Sequence, residues 1–363
     1  MKVGVIGAGA ISGIYLDNMI HRFDNLEVLA IAAKHLENAK KKAEAYGIKA
    51  CSVEELLENP EIEMVVVLTP VGTHAELIRA ALLAGKHVYT EKTITDNLET
   101  ARELYALAKE RNLCLGCAPD TFMGSALQTA RKAIDDGMLG QVTSYMAAAN
   151  RDNNILLSLF SFLREPGAGV CLDYAVYYMT ALVSLLGAVD EVASYVSAPF
   201  LQHKNVLESS PLYGQMMDTP NESEVSAILR FKSGITGTFH LDSETVLSDQ
   251  AHMIIYGTKG MLYLTDPNQF GGTVRFMPTI KSIREKVTLI DLEPVNAYGG
   301  NERGLGPAQM AMAIEKGMPL LPNADMGCHV LEVLEGMQKS AQDHCFVKME
   351  TTCERPEPLS FPG

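Results

Sequence analysis

The chain has 363 residues, 47% of them hydrophobic and 20% charged, with a formal net charge of −14. That length exceeds what one core usually serves, so two domains are expected, and the hydrophobic share is that of a folded protein. The negative charge would repel a polyanion, which excludes nucleic acid as a partner, and no apolar run reaches the roughly 18 to 20 residues of a membrane helix.

Met1-Lys2 runs straight into an apolar strand, Val3 to Ile6, with no charged-then-apolar leader, so a cytoplasmic location is expected. Short strands and helices then alternate. The expected helices are Ala10 to Arg22, Leu36 to Tyr46, Val53 to Asn59, His74 to Ala84 and Leu98 to Arg111. The expected strands are Glu27 to Ala33, Lys49 to Cys51, Met64 to Leu68, His87 to Tyr89 and Cys114 to Cys117. The β-branched run Met64 to Leu68 reads as a strand buried on both faces. Alternating βα units imply a doubly wound parallel sheet covered by helices. Lys40-Lys41-Lys42 lies on a helix beside Glu37 and Glu44 and reads as a solvated face.

After about residue 120 the texture changes. Helix Ser125 to Asp136 stops at Gly137. Longer strands follow: Val142 to Ala149, Val192 to Ala198, Glu224 to Phe231, Ile235 to Asp242, His252 to Gly257 and Met261 to Thr265. The turns Lys232-Ser233-Gly234 and Gly257-Thr258-Lys259-Gly260 read as hairpins, and successive hairpins imply a large, mostly antiparallel open sheet with flanking helices. Helix Cys171 to Leu186 interrupts it, helices Gly306 to Lys316 and Met326 to Gln342 follow, and the Pro-rich end Arg355 to Gly363 reads as a loosely held tail. The fold class is therefore α/β then α+β, with domains at 1–120 and 121–363.

Gly7-Ala8-Gly9-Ala10-Ile11-Ser12-Gly13 sits where the first strand meets the first helix. The first glycine permits a tight turn, and the second removes a side chain that would block a pyrophosphate. The helix N-terminus offers free N–H groups, and Ser12 stands at the third glycine position. This is the pattern of a dinucleotide site. The second strand ends Ala33-Lys34-His35, with Lys34 where a carboxylate would contact a ribose hydroxyl, which favours NADP(H) over NAD(H). Thr69-Pro70-Val71-Gly72-Thr73-His74 and Glu91-Lys92-Thr93 follow the next parallel strands, where ligands bind in open sheets. The seven cysteines show no framework spacing, which suits a reducing compartment. Cys114-Leu115-Gly116-Cys117 has no second pair to complete a metal site, and reads as core strand ahead of a redox pair.

With these motifs in order, and with Gly167-Ala168-Gly169 leading into Asp173-Tyr174-Ala175-Val176-Tyr177, the chain resembles the Gfo/Idh/MocA family of NAD(P)-dependent oxidoreductases over nearly its whole length. The resemblance implies a Rossmann domain followed by a substrate-binding and oligomerisation domain. It implies cofactor contacts from Gly7, Gly9, Ala10, Ile11, Ser12, Ala33, Lys34, Thr69, Pro70, His74, Glu91 and Lys92. It also implies that Lys92, Asp173 and Tyr177 line the substrate pocket. Tyr177 is the candidate acid/base, because a nearby ammonium would stabilise its phenolate. Lys92 would orient the substrate oxygen, and Asp173, four residues before Tyr177 on one helix face, would hold a substrate hydroxyl or Lys92.

Several roles stay open. His74 could contact the nicotinamide or cap its helix. Asp120 could meet a sugar hydroxyl or serve a turn. Arg164 could meet an anionic substrate or form a surface ion pair. Tyr178 is the alternative to Tyr177. Two departures from the family stand out: Tyr177 where many members have His, as in a tyrosine subgroup, and Thr93 where most have Pro. Cys117 to Gly124, with Asp173 to Leu186, looks like a sugar-acting subgroup that includes apiose dehydrogenase-like proteins. The expected activity is hydride transfer between NADP(H) or NAD(H) and a secondary alcohol or ketone of a sugar, cyclitol or related polyol, without a metal. An NAD-retaining glycosidase and a non-catalytic dinucleotide-binding protein are the competing readings. The broad sheet of the second domain suggests a homodimer or homotetramer.

Overall fold

The computed structural model describes residues 1–165, 167–246, 253–279 and 286–360. The chain divides into two compact units. The first comprises Met1–Gly124, Asn296–Leu331 and the segment from Pro356 onward; the second comprises Ser125–Val295 and Glu332–Arg355.

The first unit alternates β1 (Lys2–Ile6), α1 (Ser12–His21), β2 (Glu27–Ala32), α2 (Leu36–Tyr46), β3 (Lys49–Cys51), α3 (Val53–Glu58), β4 (Met64–Val67), α4 (His74–Leu83), β5 (His87–Thr90), α5 (Leu98–Glu110) and β6 (Leu115–Cys117). All six strands are parallel, in the order β3-β2-β1-β4-β5-β6. This is the doubly wound arrangement with its switch between β1 and β4. Every residue of β4 is buried, as its β-branched run foretold. Ser52 and Glu55 form a reciprocal capping box at the start of α3.

In the second unit the elements are α6 (Ser125–Asp135), β7 (Val142–Asn150), α7 (Asn153–Leu159), α8 (Val170–Asp173), α9 (Ala175–Leu186), β8 (Val189–Ser197), β9 (Gln202–Lys204), β10 (Met216–Asp218), β11 (Glu224–Phe231), β12 (Thr236–Asp242), β13 (Met253–Gly257), β14 (Gly260–Leu264), β15 (Arg275–Pro278) and β16 (Ile290–Asp291). Helices α10 (Leu305–Lys316) and α11 (Ala324–Asp343) and strand β17 (Val347–Lys348) follow. The large sheet runs β16-β15-β14-β13-β7-β12-β11-β8-β17. It is antiparallel throughout except where β7 and β12 pair in parallel. Both expected hairpins are present, β11–β12 and β13–β14.

Three features depart from the expectation. Helix α10, placed by sequence at 121–363, belongs to the first unit, where it packs on β5 and β6. Gly306 lets it approach, because a Cβ there would collide with the Tyr89 ring. The helix expected over Cys171 to Leu186 breaks at Tyr174, whose backbone (φ −122, ψ −39) separates α8 from α9. Helix α7 and the β9–β10 hairpin had no strong periodicity to announce them. His203 of β9 is buried; its Nδ1 and Nε2 meet Thr219 Oγ1 and Glu244 Oε2, each at 2.8 Å. His252 and residues 361–363 lie outside the described residues.

Candidate functional site

In the first unit the glycine turn joins β1 to α1. Gly7 has φ +120, and a Cβ on it would meet the Leu68 carbonyl, so the turn tolerates no side chain there. Gly9 is exposed, and a Cβ would meet nothing, so its approach face is open. Ala10 is exposed and Ile11, the N-cap of α1, supplies no side-chain cap, which leaves N–H groups at the helix start for an anion. These residues fit a dinucleotide pyrophosphate. Ser12 turns inward: it is fully buried, and its hydroxyl donates to the Gly9 carbonyl at 2.7 Å. Its side chain braces the turn. Ala33 is half-buried after β2, and Lys34 and His35 are exposed.

Thr69 and Pro70 follow β4. The Thr73 hydroxyl donates to Thr69 Oγ1 at 2.8 Å and lies 2.9 Å from the Pro70 carbonyl, which closes this loop. His74 is fully buried. Its Nδ1 lies 2.8 Å from the Thr93 carbonyl and its Nε2 2.8 Å from the Thr69 carbonyl. Both ring nitrogens therefore bracket two loops, which neither expected role, nicotinamide contact or helix cap, describes. Burial pushes the His74 pKa down, against the pull of the two carbonyls. Carbonyl oxygens only accept, so neutral His74 satisfies one of them and the imidazolium both.

Glu91 and Lys92 follow β5, two strands from β1, roughly 10 Å across the sheet. Glu91 Oε1 accepts from the Tyr15 hydroxyl at 2.7 Å, and Oε2 accepts the Lys92 amide at 3.0 Å. Both carboxylate oxygens are thus engaged by the protein. The Lys92–Thr93 peptide is cis. Asp120 is buried, and its Oδ2 accepts the Gly304 and Gly306 amides. It caps α10 and is not placed to meet a sugar hydroxyl, because its surroundings exclude solvent. Cys117 is buried, donates to the Ala118 carbonyl and has its pKa pushed well up by burial, which suits a core thiol.

In the second unit Asp173 ends α8 and Tyr177 lies in the first turn of α9. The break between them replaces the single helix face expected for the pair. Arg151, just past β7, lies with Nη1 3.4 Å from Asp173 Oδ2. Its guanidinium also stacks 4.2 Å from the centre of the Tyr174 ring, and the Tyr174 hydroxyl donates to Asp266 at 2.6 Å. The rings of Tyr174 and Tyr177 stand 5.8 Å apart. Sequence reasoning missed Arg151 and Asp266; the one available signal was a charged residue ending an alternating strand. Tyr178 is fully buried against Phe239, which makes it a core residue. Arg151, Asn153, Asp173, Thr219, Asn221 and Glu222 line a small pocket. Arg164 lies outside that lining; its Nη1 is 3.0 Å from Met217 Sδ, which packs with Leu157 and Leu163, and it forms no ion pair among the described residues. Those residues contain no cluster of His, Cys, Asp and Glu fit for a metal, and no helix long and apolar enough to cross a membrane.

Two family models match the chain. One, described as an oxidoreductase family with an NAD-binding Rossmann fold, covers residues 1–118. The other, the GFO/IDH/MocA C-terminal domain, covers residues 127–263. The chain belongs to the Gfo/Idh/MocA oxidoreductases. Within this family it is 29% identical over 198 residues to a Schizosaccharomyces pombe protein called uncharacterized oxidoreductase C26H5.09c, covering 53% of this chain and 54% of that one. It thus spans about half the length of that relative. It is 27% identical over 271 residues to the trans-1,2-dihydrobenzene-1,2-diol dehydrogenase of Bos taurus, covering 74% of this chain and 75% of that enzyme. Its fold matches a solved levoglucosan dehydrogenase in complex with NADH, with TM-score 0.81 and 20% identity over 97% of this chain and 99% of that one. The family's Rossmann and C-terminal parts correspond to the parallel and the mostly antiparallel sheet.

Proposed function

We propose that this member of the family moves a hydride between NADP(H) and a secondary alcohol or ketone of a sugar, cyclitol or related polyol. The observation that carries the reading is Lys92. It follows β5, a parallel strand two places from β1 and its glycine turn, its amide bound to Glu91 and the next carbonyl bound to His74. A cation at the carboxyl end of such a strand suits the oxygen of a reacting carbinol. The relatives' dehydrogenase activities on a diol and a sugar support the substrate class.

When bound, the nicotinamide supplies the hydride acceptor or donor. The chain's own residues do the rest. Gly7, Gly9 and the start of α1 receive the pyrophosphate. Lys92 holds the substrate oxygen. Tyr177 takes the hydroxyl proton in oxidation and returns it in reduction. Asp173, kept in place by Arg151, accepts a neighbouring substrate hydroxyl. The preference for NADP(H) rests on Lys34 and His35, both exposed after β2, with no carboxylate before Glu37.

The exposed row across the large sheet supports a homodimer or homotetramer. Ile228 of β11, Thr238 of β12 and Met146 of β7 are register neighbours, all exposed. A row of this kind is suited to burial against a second copy.

The test is a screen of sugars and cyclitols with NADP+ and NAD+, read by reduced-nicotinamide absorbance. Turnover of a polyol is expected. A protein that binds the cofactor yet reduces none of it with any polyol would overturn the reading.

A further inference from the structure

Tyr15 sits fully buried near the start of α1, the helix that begins at the dinucleotide turn. Its hydroxyl donates to Glu91 Oε1 at 2.7 Å, and Glu91 Oε2 accepts the Lys92 amide at 3.0 Å. We infer that Tyr15 is a positioning residue for Lys92, acting through Glu91, and that it couples the seat of the dinucleotide to the placement of the lysine. The inference rests on the reading that Lys92 works at the substrate oxygen.

The physical case begins with Glu91. Its backbone amide donates to the Val67 carbonyl at 2.9 Å, so its main chain is anchored to the end of β4. Its carboxylate is less constrained, because a terminal sp³–sp² torsion has a broad energy profile. The bond from Tyr15 removes that freedom and keeps the second oxygen on the Lys92 amide. Burial and the adjacent carboxylate push the phenol pKa well above its ordinary value, so Tyr15 stays a donor. Thr93 is held as well, its carbonyl by His74 and its hydroxyl on the Thr95 carbonyl at 2.7 Å. Among these bonds, the one from Tyr15 comes from the helix that receives the pyrophosphate. A shift of α1 on cofactor binding reaches Lys92 through two hydrogen bonds.

Tyr15→Phe keeps the ring that fills the core and removes the donor. We expect kcat to fall about 10- to 100-fold, the effect of a small misplacement of a reacting group. Substrate KM and cofactor Kd should stay within about twofold, since the groups that bind them are intact. Amide hydrogen exchange at Lys92 should speed by about tenfold or more as its acceptor loosens. Because Tyr15 acts through Glu91, the double variant Tyr15→Phe/Glu91→Ala should lose no more than Glu91→Ala alone. Lys92 exchange unchanged in Tyr15→Phe, kcat unchanged despite faster exchange, or additive losses in the double variant would each overturn the inference. Should Tyr15→Phe not fold, Glu91→Ala takes its place, and unaltered Lys92 exchange there also overturns it. A wild-type chain that turns over no polyol removes the dehydrogenase reading alone; the Lys92 exchange rate still decides the clamp.

Discussion

Asp120 Oδ2 accepts the Gly306 amide at 3.0 Å across 186 residues of chain. With the Gly304 amide at 3.2 Å, it caps a helix whose own N-cap, Gly304, has no side chain to do so. Burial raises the Asp120 pKa from 3.8 to about 6, against the pull of the two amides.

A carboxyl whose pKa is raised on folding contributes stability that is full below its unfolded value and is lost as pH rises through the folded one. Wild-type stability should therefore fall between pH 3.8 and about 6 from this group. Asp120→Asn keeps an acceptor for the amides and does not ionise. Relative to wild type it should gain up to about 3 kcal/mol across that window, measured by urea unfolding at a series of pH values. The buried His74, whose pKa is lowered, acts in the opposite sense and loses stability as pH falls below its ordinary value of 6.5. It is common to both proteins, so the difference isolates Asp120. A pH-independent difference would refute the assignment.

Lys92→Ala removes the cation proposed to hold the substrate oxygen and leaves the glycine turn untouched. Turnover should drop about 100- to 10,000-fold, while NADP(H) binding by fluorescence titration stays near wild type. Equal turnover in the two proteins would displace Lys92 from the reaction.

Arg151→Ala strips Asp173 of its cation and Tyr174 of its stacked guanidinium. The two charged side chains are 10% and 13% exposed, so a nearly buried carboxylate is left without that partner. The loss should destabilise the protein by about 3 kcal/mol and raise substrate KM about tenfold, with a smaller change in kcat. Thermal melts and steady-state kinetics check both, and a variant with wild-type KM would show that Arg151 does not order Asp173.

Lys34→Ala tests the cofactor preference. Losing a charged contact to a 2′-phosphate should raise KM for NADP+ about 10- to 100-fold and leave KM for NAD+ unchanged. Equal effects on both cofactors, or a wild type that prefers NAD+, would count against NADP(H).

The exposed row Ile228, Thr238 and Met146 bears on assembly. Light scattering of the wild type should give a multiple of the 39.5 kDa chain mass, and Ile228→Arg should lower it, since a charge within such a face stays desolvated in the complex. A monomeric wild type would refute the oligomer.

Much of the candidate site was legible in the sequence because its signals are local. A glycine turn after a strand, a buried β-branched run and a lysine at a strand end are each written within a few consecutive residues. They placed Gly7, Gly9, Lys34, Thr69 and Lys92 at loops following parallel strands, where the structure has them. The roles of His74, Asp120 and Ser12 were not legible. Each depends on which distant or inward-facing atom its side chain meets: the Thr93 and Thr69 carbonyls, the Gly304 and Gly306 amides, the Gly9 carbonyl.

By itself the sequence determined that a parallel, dinucleotide-type sheet is followed by a large, mostly antiparallel one, because hydrophobic period and turn chemistry are properties of short segments. The tertiary structure alone decided that α10 belongs to the first unit, that the helix after Gly169 breaks at Tyr174, and that Arg151 stands beside Asp173. Those outcomes depend on which buried polar atoms can be satisfied once distant segments meet, and no short window of sequence contains both partners.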